Sequence, residues 1–568
     1  MFKKIGDINT NLNSKILFIL VLLLASLFRI YLELNTPIWF FINSPVDDLL
    51  MLNYSNLSYH FTHWTIYSLV KTMSYPLFLF FVNMSGIPYR LWVSLIWIIA
   101  GLLITYGCYK FLTKNKIALI LVFLFVLFLP VGFDSDCGGR IYRNAIITPF
   151  TIIFLATLFI FLNKLLYKLE SKETLFWAIL LGLVFTFNFY IKEDGILLLP
   201  IFLISILSVL AFKIFTQFKN KKELIKSIIL CLIPIVIFGA LTVGYTETNN
   251  HYFGISEINT RNGGELGEFW ENLLKIDDAN KTTKIWVPPS TIEKAWNASP
   301  TLQSRPDLLN NWTHSSWASG DMYKTPIEGD LVAWSLRESL QDVGLFDNEK
   351  TADDFFSNVN NEIDNAFENG DLNKSSKIFI TSSANGKNST EITEMIPYVI
   401  SGFKTCMLYN TIEIYNEPIH DSSQLINNKD TKIVAATLND DINKEQNNAV
   451  IGLEKLDILI YQFISYLLVL LSAIGFIATF IHQIKNKLRD RQFNLLFGLQ
   501  ILTLGTFIVQ IIAIAWFCSW MVVDNSMKFY TVSCQGFFVF FEVLAIFSLL
   551  LILKEKYQKA NTNFTNNK

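Results

Sequence analysis

The chain has 568 residues, of which 52% are hydrophobic, 15% are aromatic and only 17% are charged. Soluble domains carry about 25% charged residues, so this composition excludes a string of three or four ordinary soluble domains. It equally excludes a disordered protein, a disulfide-rich secreted module and a nucleic-acid-binding protein. A mean hydropathy of +0.38 and 49 phenylalanines indicate a membrane protein. The six cysteines have neither paired nor metal-ligand spacing, so no disulfide framework is expected.

Ten apolar runs are long enough to be membrane spans. A bilayer core about 30 Å thick requires about 20 apolar residues per helix. The runs cover residues 15–34, 91–112, 117–133, 144–163, 174–191, 195–216, 227–246, 457–481, 493–517 and 528–553. The first run lacks a small-residue cleavage site and reads as a retained anchor. We therefore predict a polytopic α-helical membrane protein with about ten transmembrane helices.

The charge of the connecting loops alternates, and this alternation predicts the orientation. The basic loops carry Lys110, Lys114, Lys116, Lys164, Lys168, Lys172, Lys213, Lys219, Lys221, Lys222, Lys226, Lys485, Lys487, Arg489, Arg491, Lys554, Lys556 and Lys559. The opposite loops carry Asp47, Asp48, Asp134, Asp136, Glu193, Asp194 and Asp524. Because basic loops stay in the cytoplasm, we expect a multi-pass plasma-membrane protein whose N-terminus is cytoplasmic.

One long segment, residues 246–455, is too polar to span. It contains 17 Lys and Arg against 32 Asp and Glu, a net charge of −15, which leaves +13 for the rest of the chain. We predict an extracytoplasmic soluble domain at 247–455, between a seven-span module at 1–246 and a three-span module at 456–568. A helical pattern at 351–369, with Thr351 as its N-cap, alternates with β-prone runs at 378–381 and 432–435. This mixture predicts an α/β or α+β fold.

Three polar groups lie at the outer ends of different spans, so a helical bundle would bring them to one cavity. The first outer loop, residues 35–90, carries Asp47 and Asp48. Repulsion and burial can raise the pKa of one of two adjacent carboxyls toward that of a general base. A solvated helix N-cap is the alternative for this pair.

The second and third groups offer phosphate-binding and metal-binding chemistry. Arg140 and Arg143 suit a phosphate clamp, or alternatively a lipid headgroup interface. Asp134 and Asp136 have a spacing that could hold a divalent cation, although an ordinary polar turn has the same pattern. The third group is Lys192, Glu193 and Asp194, at the end of a span. It too could be functional or an ordinary polar turn.

Several function classes lack their sequence signals. No phosphate-loop motif is present, which argues against ATP-driven transport. Ionisable residues deep in the spans are few, and Glu542, the clearest, is expected to hydrogen-bond between helices. Proton or ion carriers usually have more of them.

Short motifs in most parts of the chain resemble the GT-C class of integral-membrane glycosyltransferases, and a bacterial branch in particular. They are Asp47-Asp48-Leu49-Leu50, Lys71-Thr72-Met73-Ser74-Tyr75-Pro76-Leu77-Phe78-Leu79, Arg140-Ile141-Tyr142-Arg143, Lys192-Glu193-Asp194-Gly195-Ile196-Leu197-Leu198-Leu199-Pro200, Ala295-Trp296-Asn297-Ala298-Ser299-Pro300 and Trp334-Ser335-Leu336-Arg337-Glu338. The class includes protein mannosyltransferases, aminoarabinose transferases and oligosaccharyltransferases.

The resemblance implies transfer of a sugar, with inversion, from a polyprenyl-phosphate donor to an envelope glycan or lipid acceptor on the outer face. Asp47 or Asp48 would be the general base, and the choice stays open because the mannosyltransferases show Asp-Glu here. The implied donor-phosphate ligands are Lys71, Arg140, Arg143 and Lys192, and the implied orienting residues are Tyr75, Tyr142, Glu193 and Asp194.

The expected partners are the lipid-linked sugar, its acceptor and membrane lipid, without nucleic acid. No cofactor is firmly implied, and a divalent cation stays open. The competing hypotheses are a transporter or flippase with an extracytoplasmic cap domain, and a non-catalytic envelope scaffold.

Overall fold

The computed structural model describes residues 12–40, 47–167, 171–217, 220–415, 436–441, 447–486 and 490–566. The helices of the first part are α1 Leu12–Asn35, α2 Asp48–Ser55, α3 Leu57–Thr62, α4 Ser74–Ser85, α5 Tyr89–Phe111, α6 Lys116–Leu127, α7 Asn144–Tyr167, α8 Ser171–Phe189, α9 Leu199–Gln217 and α10 Lys221–Phe253. A middle group follows, with α11 Gly264–Lys275, α12 Pro289–Ala298, α13 Pro300–Gln303, α14 Pro306–Thr313, α15 Leu331–Asp342, α16 Glu349–Asn369, α17 Ser389–Glu394 and α18 Ile396–Leu408. The last three are α19 Asn448–Lys485, α20 Arg491–Cys518 and α21 Val523–Asn566.

Nine helices of the described ranges are long and apolar enough to cross a membrane, so the chain is a multi-pass membrane protein. They match nine of the ten predicted runs. The third run, 117–133, is shorter than predicted because α6 ends at Leu127 and a 3₁₀ turn at Pro130–Gly132 follows. Pro130 has no amide hydrogen to continue a helix, and the residue before a proline is forced into extended backbone. Leu129 has this conformation, with φ −55° and ψ 127°.

Contacts between helix ends define two ends of the bundle. Lys116 Nζ donates to Ser14 Oγ at 2.6 Å, which joins the starts of α1 and α6. Gln492 Nε2 donates to the Phe111 carbonyl at 2.8 Å, which joins the end of α5 to the start of α20. We call this end the basic end, because the basic loops meet there. The opposite end, where Asp47, Arg140 and Lys192 lie, is called the site end. Lys168, Lys219, Lys487 and Arg489 lie outside the described residues, and the orientation in the membrane stays a prediction.

In its described residues, the segment between α10 and α19 contains helices and isolated bridges but no strands, so the predicted α/β or α+β fold is not supported. Its predicted helix at 351–369 is present as α16. The N-cap, however, is Asn348 and not Thr351, because Asn348 Oδ1 accepts from the Thr351 amide at 2.9 Å. The limits of the three predicted domains remain untested.

The β-prone runs did not become strands for a physical reason. Within 378–381, Ile378 pairs with Lys387 through an isolated bridge. Ile378 and Ile380 are 57% and 49% exposed. High strand propensity expresses the packing of a half-buried pleated surface. Of this run only Phe379 packs against the core, and the two isoleucines stay exposed. The run 432–435 lies outside the described residues.

A buried ion pair fixes α1 against the loop that follows α6. Arg29 Nη2 pairs with Glu33 Oε2 at 2.7 Å, and their side chains are 0% and 6% exposed. The Arg29 guanidinium also lies 3.9 Å from the ring centroid of Phe133 and donates to the carbonyls of Leu127 and Gly132. The first transmembrane helix is thereby tied to the loop that leads to Arg140.

The variant Glu33→Gln removes the ion-pair partner of the buried Arg29 guanidinium. We expect it to lower the free energy of unfolding by about 3–5 kcal/mol, measured by thermal unfolding in detergent. Asp354→Asn is the matched control, because Lys350 and Asp354 form an exposed pair with the same spacing. Its expected loss is about 0.3–0.5 kcal/mol. Equal losses in both variants would contradict the structural role of the buried pair.

Candidate active site

The first two outer loops are joined by backbone pairing beside Trp39. The Trp39 amide donates to the Gly139 carbonyl at 2.9 Å, and the Ile141 amide donates to the Trp39 carbonyl at 3.0 Å. The turn before this pairing requires a glycine, because a Cβ on Gly138 would lie 2.3 Å from the Gly132 carbonyl oxygen. The pairing sets Arg140 on one loop and the start of α2 on the other side by side.

Asp48 and Arg140 form a buried two-point ion pair. Arg140 Nε donates to Asp48 Oδ1 and Oδ2 at 2.9 and 3.1 Å, and Arg140 Nη2 lies 2.8 Å from Oδ1. The Asp48 side chain is 0% exposed. A guanidinium fixes a carboxylate most strongly in this geometry. The solvated N-cap interpretation is therefore wrong: Asp48 is buried, and Asp47, at the N-cap position of α2, makes no side-chain capping bond.

Asp47 differs from Asp48 in exposure and in its partners. Its side chain is 29% exposed, and Oδ1 lies 3.3 Å from Lys71 Nζ. Arg140 Nη2 lies 3.8 Å from Oδ2. Burial alone would raise the pKa of Asp47, but the charges of Lys71, Arg140 and Arg143 outweigh burial and hold that pKa well below its usual value. Asp47 is therefore a carboxylate anion at neutral pH.

The Tyr142 hydroxyl connects the groups of the site. It donates to Asp47 Oδ1 at 3.1 Å and accepts from Lys71 Nζ at 3.3 Å and from Arg143 Nη2 at 2.7 Å. Arg143 Nη1 also bonds to Glu193 Oε1 and Oε2 at 2.7 and 2.8 Å. One network thus contains seven of the predicted residues, namely Asp47, Asp48, Lys71, Arg140, Tyr142, Arg143 and Glu193.

Lys192 lies beside this network with unused hydrogen-bonding capacity. It is 5% exposed. Its Nζ donates to Asn144 Oδ1 at 3.1 Å and lies 5.8 Å from the ring centroid of Phe529. It has no ion pair among the residues that the structure describes. Burial lowers the pKa of Lys192, and Asp194 opposes that effect. An ammonium has three donors, so Lys192 can bind an additional anion.

Two predicted residues lie beside the network and do not join it. The Tyr75 hydroxyl is 3.0 Å from the Tyr89 hydroxyl, which in turn donates to the Arg140 carbonyl at 3.4 Å. Asp194 Oδ2 accepts from Ser533 Oγ at 2.5 Å. Both support the backbone that carries Arg140 and Lys192.

Asp134 and Asp136 form a polar turn, as the simpler interpretation predicted. Asp134 Oδ1 accepts from the Asp136 amide at 2.9 Å. Lys528 Nζ lies between three acids, at 2.6 Å from Asp136, 3.2 Å from Glu413 and 3.7 Å from Asp134. Among the described side chains, no group of three or more His, Cys, Asp or Glu is arranged to hold a metal ion. A divalent cation remains an untested prediction.

The sequence patterns missed several residues that border the site. Lys71 Nζ lies 5.8 Å and the Arg261 guanidinium 5.3 Å from the ring centroid of Trp334, so the middle segment covers one side of the network. Phe529 of α21 lies 5.2 Å from the Arg140 guanidinium. A lone lysine at the start of an apolar run was a signal for Lys528. Trp334 lies within one of the family-like motifs, but a tryptophan in a folded segment is usually a core residue, so the sequence did not place it at the site.

Comparison of the chain with protein-family models, with curated proteins and with solved structures finds no match. The chemistry must therefore be inferred from the geometry. That geometry combines a partly exposed carboxylate with buried cations, one of which has spare donors. Such a site can bind an anion and accept a proton from a neighbouring group.

Replacing Arg140 by lysine tests the two-point pair. Lysine cannot reproduce the paired Nε and Nη2 bonds, so Arg140→Lys should lower the free energy of unfolding by about 2–3 kcal/mol. Arg305→Lys is the control, because Arg305 makes a similar two-point pair with the half-exposed Asp307. Its expected cost is about 1 kcal/mol or less. Thermal unfolding in detergent measures both, and a larger loss for Arg305→Lys would contradict the assignment.

The lowered pKa of Asp47 predicts an acid-dependent loss of stability. The carboxyl of an unfolded chain binds a proton near pH 4, whereas folded Asp47 does so only at lower pH. Its contribution to stability is therefore complete above about pH 5 and is lost as the pH falls through the folded pKa. The stability difference between the wild type and Asp47→Asn should be constant from about pH 5 to 8 and shrink below about pH 4. A stability difference that grows on acidification would contradict a lowered pKa of Asp47.

Proposed function

We propose that this protein is a membrane glycosyltransferase of the GT-C type that transfers a sugar from a polyprenyl-phosphate donor to an envelope glycan or lipid acceptor. The observation that carries the proposal is the partly exposed carboxylate of Asp47 within a buried group of cations at one end of a membrane bundle. Sugar transfer from a phosphate needs a base for the acceptor hydroxyl and positive charge for the leaving phosphate. Both kinds of group meet in this network.

The two ends of the bundle support an outer-face reaction. The positive-inside rule places the basic end in the cytoplasm, so the site end faces away from the cytosolic pool of nucleotide sugars. A donor carried by a membrane lipid reaches such a site from within the bilayer. This orientation also puts the N-terminus in the cytoplasm and the middle segment outside the plasma membrane.

Asp47 is assigned as the base and Asp48 as a positioning residue. Asp48 is fully buried against Arg140 and has no route to an acceptor, whereas Asp47 is 29% exposed. In the reaction, Asp47 takes the proton of the acceptor hydroxyl while the hydroxyl oxygen attacks the anomeric carbon. The bond from that carbon to the phosphate oxygen breaks, and the configuration inverts. Polyprenyl phosphate leaves with the electron pair.

The cations have two successive roles. Lys192, with its spare donors, and Lys71, Arg140 and Arg143 would contact the donor phosphate. Without the donor, the same cations hold Asp47 at a low pKa, which makes it a weak base. A bound phosphate opposes their field and raises the pKa of Asp47. The base would therefore become effective only when the donor is bound, which limits unproductive proton transfer.

The remaining predicted residues orient these groups. Tyr142 fixes Lys71 and Asp47 relative to one another, and Glu193 holds the guanidinium of Arg143. Tyr75 supports the loop that carries Arg140 through Tyr89. Asp194 supports the backbone next to Lys192.

The test compares envelope glycans in a deletion strain complemented with the wild type, Asp47→Asn or Asp321→Asn. Asp321, an aspartate of the middle segment whose side chain is 29% exposed like that of Asp47, serves as the control. We expect Asp47→Asn to lose the glycan modification, because a general base contributes about 10²- to 10⁴-fold in rate. Protein level and size-exclusion profile should match those of the wild type. Normal glycans in the Asp47→Asn strain would refute the assignment.

One observation favours a transporter or flippase as the second candidate. Glu454 and Asp457 of α19 each have a buried carboxylate oxygen that no described residue contacts by a hydrogen bond. Glu542 of α21 is 2% exposed, and within the described ranges it makes no hydrogen bond, so the expected interhelical bond is absent. Carboxyls inside spans are typical of proton and ion pathways, and the spans hold more of them than the sequence indicated. A solute flux in proteoliposomes that survives Asp47→Asn and is lost in Glu542→Gln would establish this alternative.

A further inference from the structure

A groove at the basic end of the bundle is separate from the site described above. It lies between α7, α9 and α20 and has a volume of about 190 Å³. Its walls are mainly apolar, with Leu162, Val209 and Leu499 among the lining residues. Ser208 on the rim is exposed, so the groove opens on the outer surface of the bundle. An apolar groove open to hydrocarbon accommodates a lipid chain.

Two cations at the mouth of this groove have no ion-pair partner. The exposed Arg491 guanidinium lies 5.3 Å from the ring centroid of Phe212, which lines the groove. Lys213, the next residue, is 3% exposed and close enough to Arg491 for the two charges to interact. Neither side chain makes a hydrogen bond or an ion pair with any other residue in the described part of the chain.

The nearby described carboxylates form no ion pair with these two cations. Asp490 is used by the helix start, because its Oδ1 accepts from the amides of Gln492 and Phe493 at 3.0 and 3.2 Å. The charge of Glu223 acts on Lys213, but the two form no ion pair within 4 Å. Both cations therefore keep unused hydrogen-bond donors near the end of the apolar groove.

We propose that this groove binds an anionic phospholipid, whose phosphate contacts Arg491 and Lys213 and whose acyl chain lies along the apolar wall. Basic pockets between transmembrane helices are suited to anionic headgroups. A guanidinium and an ammonium together match a phosphodiester. A free phosphate would gain nothing from the apolar walls, so the lipid is the favoured occupant. The site is at the opposite end from Lys192 and is independent of the proposed transfer reaction.

The experiment titrates the full-length protein in detergent with phosphatidylglycerol, with phosphatidylcholine of the same chains, and with inorganic phosphate. Binding is measured by native mass spectrometry, and stability by the unfolding midpoint. We expect phosphatidylglycerol to bind and to raise the midpoint, and the other two to bind much more weakly. Arg491→Gln or Lys213→Gln should weaken binding about fivefold each, and the double variant about thirtyfold.

A steric variant tests the acyl-chain part of the site. Gly498 lines the groove, and a Cβ there would meet no atom within 4 Å, so Gly498→Leu places its side chain in the groove from an unobstructed Cβ position. It should prevent phosphatidylglycerol binding. Gly505→Leu is the matched control, because Gly505 is on the same helix, is equally open and does not line the groove.

Three results would overturn the proposal. Equal binding of phosphatidylcholine would remove the role of the two cations. Equal binding of inorganic phosphate would show an anion site without an acyl chain. Unchanged phosphatidylglycerol binding in both Gly498→Leu and the double variant would place the lipid elsewhere.

Discussion

The site depends on the ion pair between Asp48 and Arg140. Both groups are buried, and neither can lose its partner without leaving an uncompensated charge in a medium of low dielectric. The pair fixes the start of α2 to the second outer loop, next to the backbone pairing of Trp39 with residues 139–141. It also directs Arg140 Nη2 toward Asp47, at 3.8 Å. The value of this pair is therefore mainly in positioning, since a buried ion pair contributes little net stability.

Once Asp48 is occupied by Arg140, the two adjacent aspartates can have different roles. The sequence offers two equivalent carboxyls, but one becomes part of the framework and the other stays partly exposed among Lys71, Tyr142 and Arg143. Electrostatic repulsion between neighbours is not the main determinant of the pKa of Asp47. The surrounding cations are the main determinant, because they lower the pKa that repulsion and burial would raise. In the proposed reaction this makes the basicity of Asp47 dependent on the bound phosphate.

The bundle separates two kinds of positive charge. The cations of the network lie within the protein and, apart from Lys192, pair with described carboxylates. At the basic end, Arg491 and Lys213 have no ion-pair partner among the described residues, and Arg491 lines an apolar groove. The first arrangement suits a phosphate that is contacted during a reaction, and the second suits the phosphate of a resident lipid. In both proposals a phosphate is bound by cations, but the two environments differ in how completely water is excluded.

The sequence by itself determined nine of the ten predicted spans, the alternation of loop charge and seven residues of the candidate network. A span is a local property of about 20 consecutive apolar residues, and loop charge is equally local. Even the early end of α6 follows from Pro130. The sequence did not determine the fold of the middle segment, because strand propensity without an apolar face to bury does not form a sheet. Nor could the sequence separate the roles of Asp47 and Asp48, or place Trp334, Phe529 and Lys528 beside the network. Those assignments depend on contacts between residues hundreds of positions apart, and only the packing of the helices decides them.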